Sequence, residues 1–75
     1  MVHVRQFTAV IEREGDGWVA FCPELDVASQ GDSVEEARTN LTTAVELFFE
    51  SASSLEIDER LHGEVYVTRV EVALR

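Results

Sequence analysis

The 75-residue sequence contains no lysine and a single cysteine, and each scarcity excludes a class of protein. Cys22 alone can form neither an intramolecular disulfide nor a cysteine-based metal cluster. No apolar run approaches the roughly 20 residues that a membrane-spanning helix requires, and no basic segment followed by an apolar one marks a signal peptide. We therefore expect a single domain over residues 1–75, located in the cytoplasm and not associated with a membrane.

Positive charge is also scarce. Fifteen acidic residues face six arginines, which gives a formal net charge of −9. The arginines are scattered: Arg5, Arg13, Arg38, Arg60, Arg69 and Arg75. Because nucleic-acid binders need a basic face, we expect no direct binding of nucleic acid. The acidity either steers a basic protein partner towards the chain or serves solubility alone.

The first part of the sequence has the period-two pattern of β-strands. One strand is predicted over residues 4–13 and a second over 18–22, where Trp18, Ala20 and Cys22 lie opposite Val19 and Phe21. The two glycines and the aspartate of residues 14–17 favour a tight hairpin turn. The proline at position 23 ends the second strand because it has no N–H to donate. A short third strand is predicted around residues 27–30.

A helix is predicted over residues 34–52. Ser33 and Glu36 have the spacing of a capping box. At 3.6 residues per turn the apolar side chains form one stripe, which we expect to pack on the sheet. The stripe consists of Val34, Ala37, Leu41, Ala44, Val45, Phe48 and Ala52. Leu47 and Phe49 fall outside it, so they are either covered by the connector of residues 53–63 or belong to an interface.

A final strand is predicted over residues 64–74. Val65 and Val67 mark one face and Val70 and Val72 the other, which indicates a bulge or kink between the two pairs. The predicted fold class is α+β, with the order β-β-β-α-β. It comprises an antiparallel three-stranded sheet and a final strand, with one helix packed on one face.

One helix leaves the other face of the sheet uncovered. A sizeable apolar patch of this kind is rare on monomers, so we expect a homo-oligomer, either a dimer or a tetramer. The predicted interface residues are Val19, Leu47, Phe49, Val70 and Val72.

Side chains able to carry catalysis form no recognisable pattern. The acidic residues predicted at strand ends are Asp16, Glu24, Asp26 and Asp32. They lack the spacing of a metal site, and turn formation accounts for them better. His3 and His62 stand in no catalytic signature, and Cys22 is better explained as a packing residue. We expect no enzymatic activity, no metal and no cofactor.

Several segments share their order and spacing with a known family. They span residues 7–12, 17–26, 31–37, 40–41 and 44–47, and include Pro23-Glu24-Leu25, Gly31-Asp32-Ser33 and Glu35-Glu36-Ala37. This arrangement resembles the HicB family of antitoxins. In that family a strand ends in an acidic turn, and the next strand ends in Pro-Asp/Glu-Leu. Gly-Asp-Ser/Thr then precedes a helix that begins Glu-Glu-Ala.

The resemblance implies a fold, a partner and a mechanism. The fold is a partly degraded ribonuclease H-like domain without its catalytic carboxylates. The partner is a small, basic, RNA-cleaving toxin of the HicA family, whose RNA-binding surface and catalytic histidine are masked. Acidic groups beside an apolar strand end suit such a partner, so the predicted partner contacts are Trp18, Phe21, Glu24 and Asp26.

The sequence departs from the family pattern in two respects. Many family members carry a C-terminal DNA-binding domain, which we do not expect in these 75 residues. The proline-rich stretch that often follows the helix is also missing, so the sequence resembles the short, free-standing branch. Two alternatives to an antitoxin stay open. One is a structural or regulatory homo-oligomer without a toxin, and the other is a residual Mg²⁺-dependent nuclease that uses Asp16, Glu24 or Asp26.

Overall fold

A computed structural model describes residues 4–61 and 63–75, so His3 and His62 lie outside the described residues. The elements are β1 (Val10–Glu14), β2 (Gly17–Cys22), β3 (Val27–Gly31), α1 (Val34–Ser51) and α2 (Ser54–Leu61). The strands form an antiparallel sheet in the order β1-β2-β3. The predicted α+β class and its three-stranded antiparallel sheet are confirmed. No helix in the described part of the chain is long and apolar enough to cross a membrane.

The pairing register sorts the side chains of β2 onto two faces. Ala20 pairs with Ile11 of β1, and the next residue, Phe21, pairs with Val10. Ala20 is buried in a core that includes Leu41 of α1, whereas Phe21 is 36% exposed. The predicted division of β2 is therefore confirmed, and the side that carries Phe21 is called the outer face below.

The sheet and α1 meet at a joint with no free space. A Cβ atom on Gly31 would lie 2.5 Å from the backbone nitrogen of Ala37, so only glycine fits at this position. One turn further along α1, the Asn40 side-chain amide donates a hydrogen bond of 2.7 Å to the Gln30 carbonyl oxygen. These two contacts fix the direction in which α1 crosses the sheet.

The start of α1 confirms the capping prediction. The Ser33 hydroxyl oxygen accepts a hydrogen bond from the Glu36 N–H at 3.0 Å. The Glu36 carboxylate reaches back to the N–H of Asp32 at 2.9 Å. Backbone N–H groups at a helix start have no partner within the helix. The Ser33 hydroxyl satisfies the one at Glu36, and the Glu36 carboxylate binds the N–H of the residue that precedes the cap.

The connector of residues 53–63, which we expected to be a loop, contains α2 over most of its length. Its start repeats the Ser-x-x-Glu cap, since the Ser53 hydroxyl accepts from the Glu56 N–H at 3.1 Å. Near its end, Arg60 donates to the Leu25 carbonyl oxygen and lies 5.2 Å from the centre of the Phe48 ring. These contacts hold α2 against the core.

The prediction of a final strand over residues 64–74 is also wrong. Residues 64–75 belong to neither a helix nor a strand, and all of them are exposed. No bulge therefore separates Val67 from Val70. The first strand is shorter than predicted and begins at Val10, because the N–H of Thr8 is bound by the Glu24 side chain and not by a neighbouring strand.

The two residues outside the helix stripe have different environments. Phe49 packs against Phe7, with ring centres 5.7 Å apart, and against Phe48 at 5.4 Å. Leu47 is 56% exposed, so the interpretation that the connector covers it is wrong. Phe49 is thus part of the fold's own packing, whereas Leu47 stays available to another surface.

Candidate functional site

An open groove lies at the end of the sheet, where the β1–β2 turn approaches the start of α1. Its lining residues are Glu14, Gly17, Trp18, Val19, Gln30, Gly31, Asp32 and Glu36. Gly15 adopts a positive φ of 60° and closes the turn tightly. Gly31 brings the start of α1 against the sheet end. We call this feature the sheet-end groove.

Trp18 supplies the aromatic side chain of the sheet-end groove. It is half-buried and packs against the edge of the core. Its register partner on β1 is Arg13, whose guanidinium carbon lies 5.4 Å from the centre of the indole ring. A cation at this distance is attracted by the ring face, so Arg13 holds the indole in place on one side.

Carboxylates supply the charge of the sheet-end groove. Glu14 comes from the end of β1, and Asp32 and Glu36 come from the start of α1. Glu36 is engaged in the helix cap, whereas Glu14 and Asp32 are exposed. None of the described lining residues is basic. A tryptophan and exposed carboxylates that line one groove are residue types suited to lysine or arginine side chains.

The four predicted partner contacts are not brought together. Trp18 lies in the sheet-end groove, but Phe21 is on the outer face. Glu24 and Asp26 follow Cys22, at the opposite end of β2 from Trp18. Asp26 is exposed and has a positive φ of 56°, so it forms the turn into β3.

Glu24 is bound within the chain. Its carboxylate accepts hydrogen bonds from the Thr8 N–H at 3.0 and 3.1 Å, and from the Thr8 hydroxyl at 2.6 Å. Burial tends to raise the pKa of Glu24. The hydrogen bonds from Thr8, from the backbone and from the Cys22 thiol outweigh that effect and hold the pKa below its ordinary value. Glu24 therefore fastens the N-terminal segment to the end of β2.

Cys22 lies beside Glu24 and is fully buried. Burial raises the pKa of its thiol, against a lowering effect of the Leu25 backbone. The hydrogen bond to Glu24 and the negative charge of Glu24 raise it further. The thiolate is the reactive form of cysteine, so this side chain acts as a packing group. The described residues include no group of three or more metal-ligating side chains placed to hold an ion.

The predicted interface residues fall on three surfaces. Val19 belongs to the outer face, Leu47 and Phe49 to α1, and Val70 and Val72 to the exposed segment of residues 64–75. The start of that segment, residues 65–68, lies against the outer face. Sequence reasoning missed Glu14 and Glu36 as groove residues. The pairing of β1 with β2 and the close approach of α1 to Gly31 bring them to one end of the sheet.

Comparison with known proteins identifies the family. A UPF0150 protein of Helicobacter pylori is 46% identical over 52 residues, which cover 68% of this chain and 68% of the relative. The chain belongs to the UPF0150 family. The UPF0150 designation states no activity.

Two UPF0150 proteins of Synechocystis sp. are also similar to the chain. One is 48% identical over 50 residues, covering 64% of this chain and 63% of the relative. The other is 43% identical over 47 residues, covering 60% and 65%. The chain thus spans somewhat less than two thirds of these two UPF0150 proteins. No family model and no solved structure matches it.

Proposed function

We propose that this UPF0150 protein is an antitoxin-like protein that binds a small, basic, RNA-cleaving toxin resembling the HicA family. In this proposal it neutralises the toxin by masking the surface that binds RNA. The observation that carries the proposal is the sheet-end groove, whose lining includes the single tryptophan and exposed carboxylates of a chain with net charge −9.

Charge supports the choice of partner. A protein that cleaves RNA presents lysine and arginine side chains to phosphate groups. The same side chains can bind the carboxylates of Glu14 and Asp32, so RNA and this chain would compete for one surface. Opposite net charges also raise the rate of encounter.

The aromatic ring supports the strength of binding. Interface energy is concentrated in a few large side chains, with tryptophan and arginine prominent among them. Trp18 is held in place by packing and by Arg13, so little side-chain entropy is lost when a partner covers it. The carboxylates that line the same groove would then set the orientation of the partner.

Co-expression tests the proposal. The chain is expressed together with the product of the adjacent reading frame, which the proposal predicts to be small and basic, and growth and co-purification are measured. We expect the basic protein to arrest growth alone, and this chain to restore growth and co-purify with it. In a purified system, added chain should stop RNA cleavage, and added RNA should slow formation of the complex.

Paired variants test the site. Glu14→Gln with Asp32→Asn removes two charges from the sheet-end groove, and we expect affinity for the toxin to fall at least about tenfold. Glu46→Gln with Glu50→Gln removes two charges from exposed positions on α1 and should change affinity less than about twofold. Equal losses in both pairs would show that only net charge matters and would reject the groove as the contact site.

A homo-oligomer without a toxin is the second candidate function. The exposed apolar side chains of residues 64–75 favour it. The co-expression experiment separates the two candidates, since a free-standing oligomer predicts neither growth arrest nor a complex with the neighbouring protein.

A further inference from the structure

Residues 64–75 follow α2 as an exposed segment that belongs to no helix or strand, and we call this segment the arm. Their exposed apolar side chains include Tyr66 at 83%, Val70 at 82%, Val72 at 70% and Leu74 at 90%. The arm is rich in β-branched residues, and Tyr66, Thr68, Val70, Val72 and Leu74 share one face of an extended chain. This is the composition and period of a strand that lacks a neighbour.

The surface area of the chain shows how much is left uncovered. The accessible surface is 6524 Å². A compact monomer of this mass exposes about 4600 Å², so the excess is about 1900 Å². Stable interfaces bury about 800 Å² on each partner. The excess is therefore sufficient for an interface between two copies of the chain.

The β1 edge of the sheet is more open than the β3 edge. β1 and β3 are the edges of the sheet, and an edge strand has unpaired N–H and C=O groups. On β3, the Gln30 carbonyl oxygen already accepts from Asn40, and α1 packs mainly against β3 and β2. α1 touches β1 little, which leaves room for another strand beside β1.

An apolar groove lies between the N-terminal segment that leads into β1 and the flank of α1. Its apolar lining residues are Val4, Phe7, Val45, Leu47 and Phe49, and none of the described lining residues belongs to β1 itself. A strand that ran along β1 and continued past Val10 would reach the N-terminal segment that lines this groove. The face of the arm that carries Val70, Val72 and Leu74 matches it in chemistry.

We propose that two copies of this chain exchange their arms, so that residues 69–75 of each copy add as a fourth strand along β1 of the other. Strand addition of this kind gains main-chain hydrogen bonds from the edge and buries alternate side chains. The start of the arm stays on the outer face of its own sheet, at residues 65–68. Seven residues in extended form span about 23 Å, which is ample for the five residues of β1.

Charge is consistent with a second copy as the occupant. The arm contains Glu64, Glu71, Arg69 and Arg75, so its formal charge is zero in a chain of net charge −9. A neutral arm lets two acidic copies meet without placing like charges at the contact. This proposal does not depend on a toxin, because it concerns a surface different from the sheet-end groove.

The test is the mass of the full chain in solution, measured by light scattering or sedimentation. We expect a dimer of about twice 8.4 kDa. Val70→Asp should convert it to a folded monomer, since Val70 is 82% exposed and contributes little to the fold of one copy. Val34→Asp makes the same change on a valine at the start of α1 that is 43% exposed, and it should leave the dimer intact. Circular dichroism confirms that both variants are folded.

Hydrogen exchange locates the contact. In the dimer we expect slow exchange at the β1 amides that point away from β2 and in residues 69–75, and both should become fast in Val70→Asp. A wild-type chain that is a monomer in solution would overturn the proposal. This holds even if its arm exchanged slowly, because the arm would then pair with β1 of the same copy. A dimer that persists in Val70→Asp, or one whose β1 edge exchanges fast, would overturn it as well.

Discussion

Thr8 binds both oxygens of the Glu24 carboxylate through its N–H and binds one of them again through its hydroxyl. The two residues are 16 positions apart. Pro23-Glu24-Leu25 is one of the motifs on which the resemblance to HicB antitoxins rests. Its acidic residue here fastens the chain to itself, and its leucine is fully buried. This motif therefore reports on the fold more than on a partner.

Replacing Glu24 tests this role. Glu24→Gln should lower the free energy of unfolding by about 1 kcal/mol at neutral pH, because a charge-assisted hydrogen bond is lost at a partly exposed site. Glu46→Gln, on the exposed side of α1, should change it by less than about 0.5 kcal/mol. Urea unfolding of both variants measures the difference. Equal stability of wild type and Glu24→Gln would contradict the structural role.

The contribution of Glu24 depends on pH. Its pKa in the folded chain is lower than its ordinary value of 4.5, because the hydrogen bonds it accepts favour the charged form. The stabilisation is therefore fully present above that ordinary value and is lost as the pH falls through the folded-state pKa. The gap between wild type and Glu24→Gln should narrow as the pH falls below 4.5. A gap of constant size down to strongly acidic pH would argue against this linkage.

Gly31→Ala should destabilise the joint between β3 and α1. The added methyl group would lie 2.5 Å from the Ala37 backbone nitrogen, and that atom cannot move without shifting the helix. We expect a loss of about 2 kcal/mol or more in the free energy of unfolding. Gly63→Ala is the matched control, since no atom lies within 4 Å of the added carbon. The melting temperature of Gly31→Ala should be clearly lower than that of Gly63→Ala. Similar melting temperatures would show that β3 and α1 can move apart enough to accommodate a methyl group.

Arg60→Ala should loosen α2. The substitution removes a hydrogen bond to the Leu25 carbonyl oxygen and the contact with the Phe48 ring. The expected cost is about 1–2 kcal/mol. Arg38→Ala removes an exposed ion pair with Glu35, at 3.8 Å, and should cost less than about 0.5 kcal/mol. Chemical denaturation measures the free energy of unfolding of both variants. A smaller loss in Arg60→Ala than in Arg38→Ala would mean that the Arg60 side chain does not hold α2 against the core.

Salt should act in opposite directions on the two proposed assemblies. Raising the salt concentration from about 0.05 M to about 0.5 M shortens the screening length several-fold. The complex with a basic toxin should weaken, because attraction between opposite charges is screened. The dimer of two acidic chains should tighten, because repulsion between like charges is screened. Calorimetry measures the dissociation constant of each assembly at both salt concentrations. If salt changed both constants in the same direction, one of the two proposed contact surfaces would be wrong.

Much of the fold was predictable from local patterns. The alternation of β2, the glycine turn after β1 and the cap formed by Ser33 and Glu36 all act over a few residues, and the structure contains each of them. The cap of α2 has the same signal, Ser53 followed by Glu56, but the polar composition of the segment favoured a loop. Arg60 then holds α2 against the core, and no local pattern shows that contact.

The wrong predictions concern long-range relationships. A strand forms only beside another strand. The alternating pattern of residues 64–74 favours an extended backbone but does not show which strand it would pair with. The site was hard to predict for the same reason. Trp18 and Glu14 line one groove with Asp32 only through strand pairing and the close approach of α1 at Gly31. The sequence also does not show that Thr8 binds the Glu24 carboxylate.

The strand pairs of the sheet, and the most extensive packing of α1, connect elements that follow one another along the chain. β1 pairs with β2, β2 with β3, and α1 packs most extensively against the strand just before it. Chains dominated by such short-range contacts fold quickly. The arm takes no part in these steps, so each molecule should finish folding before it meets another. Assembly would then be a slower second event whose rate depends on how much protein the cell makes.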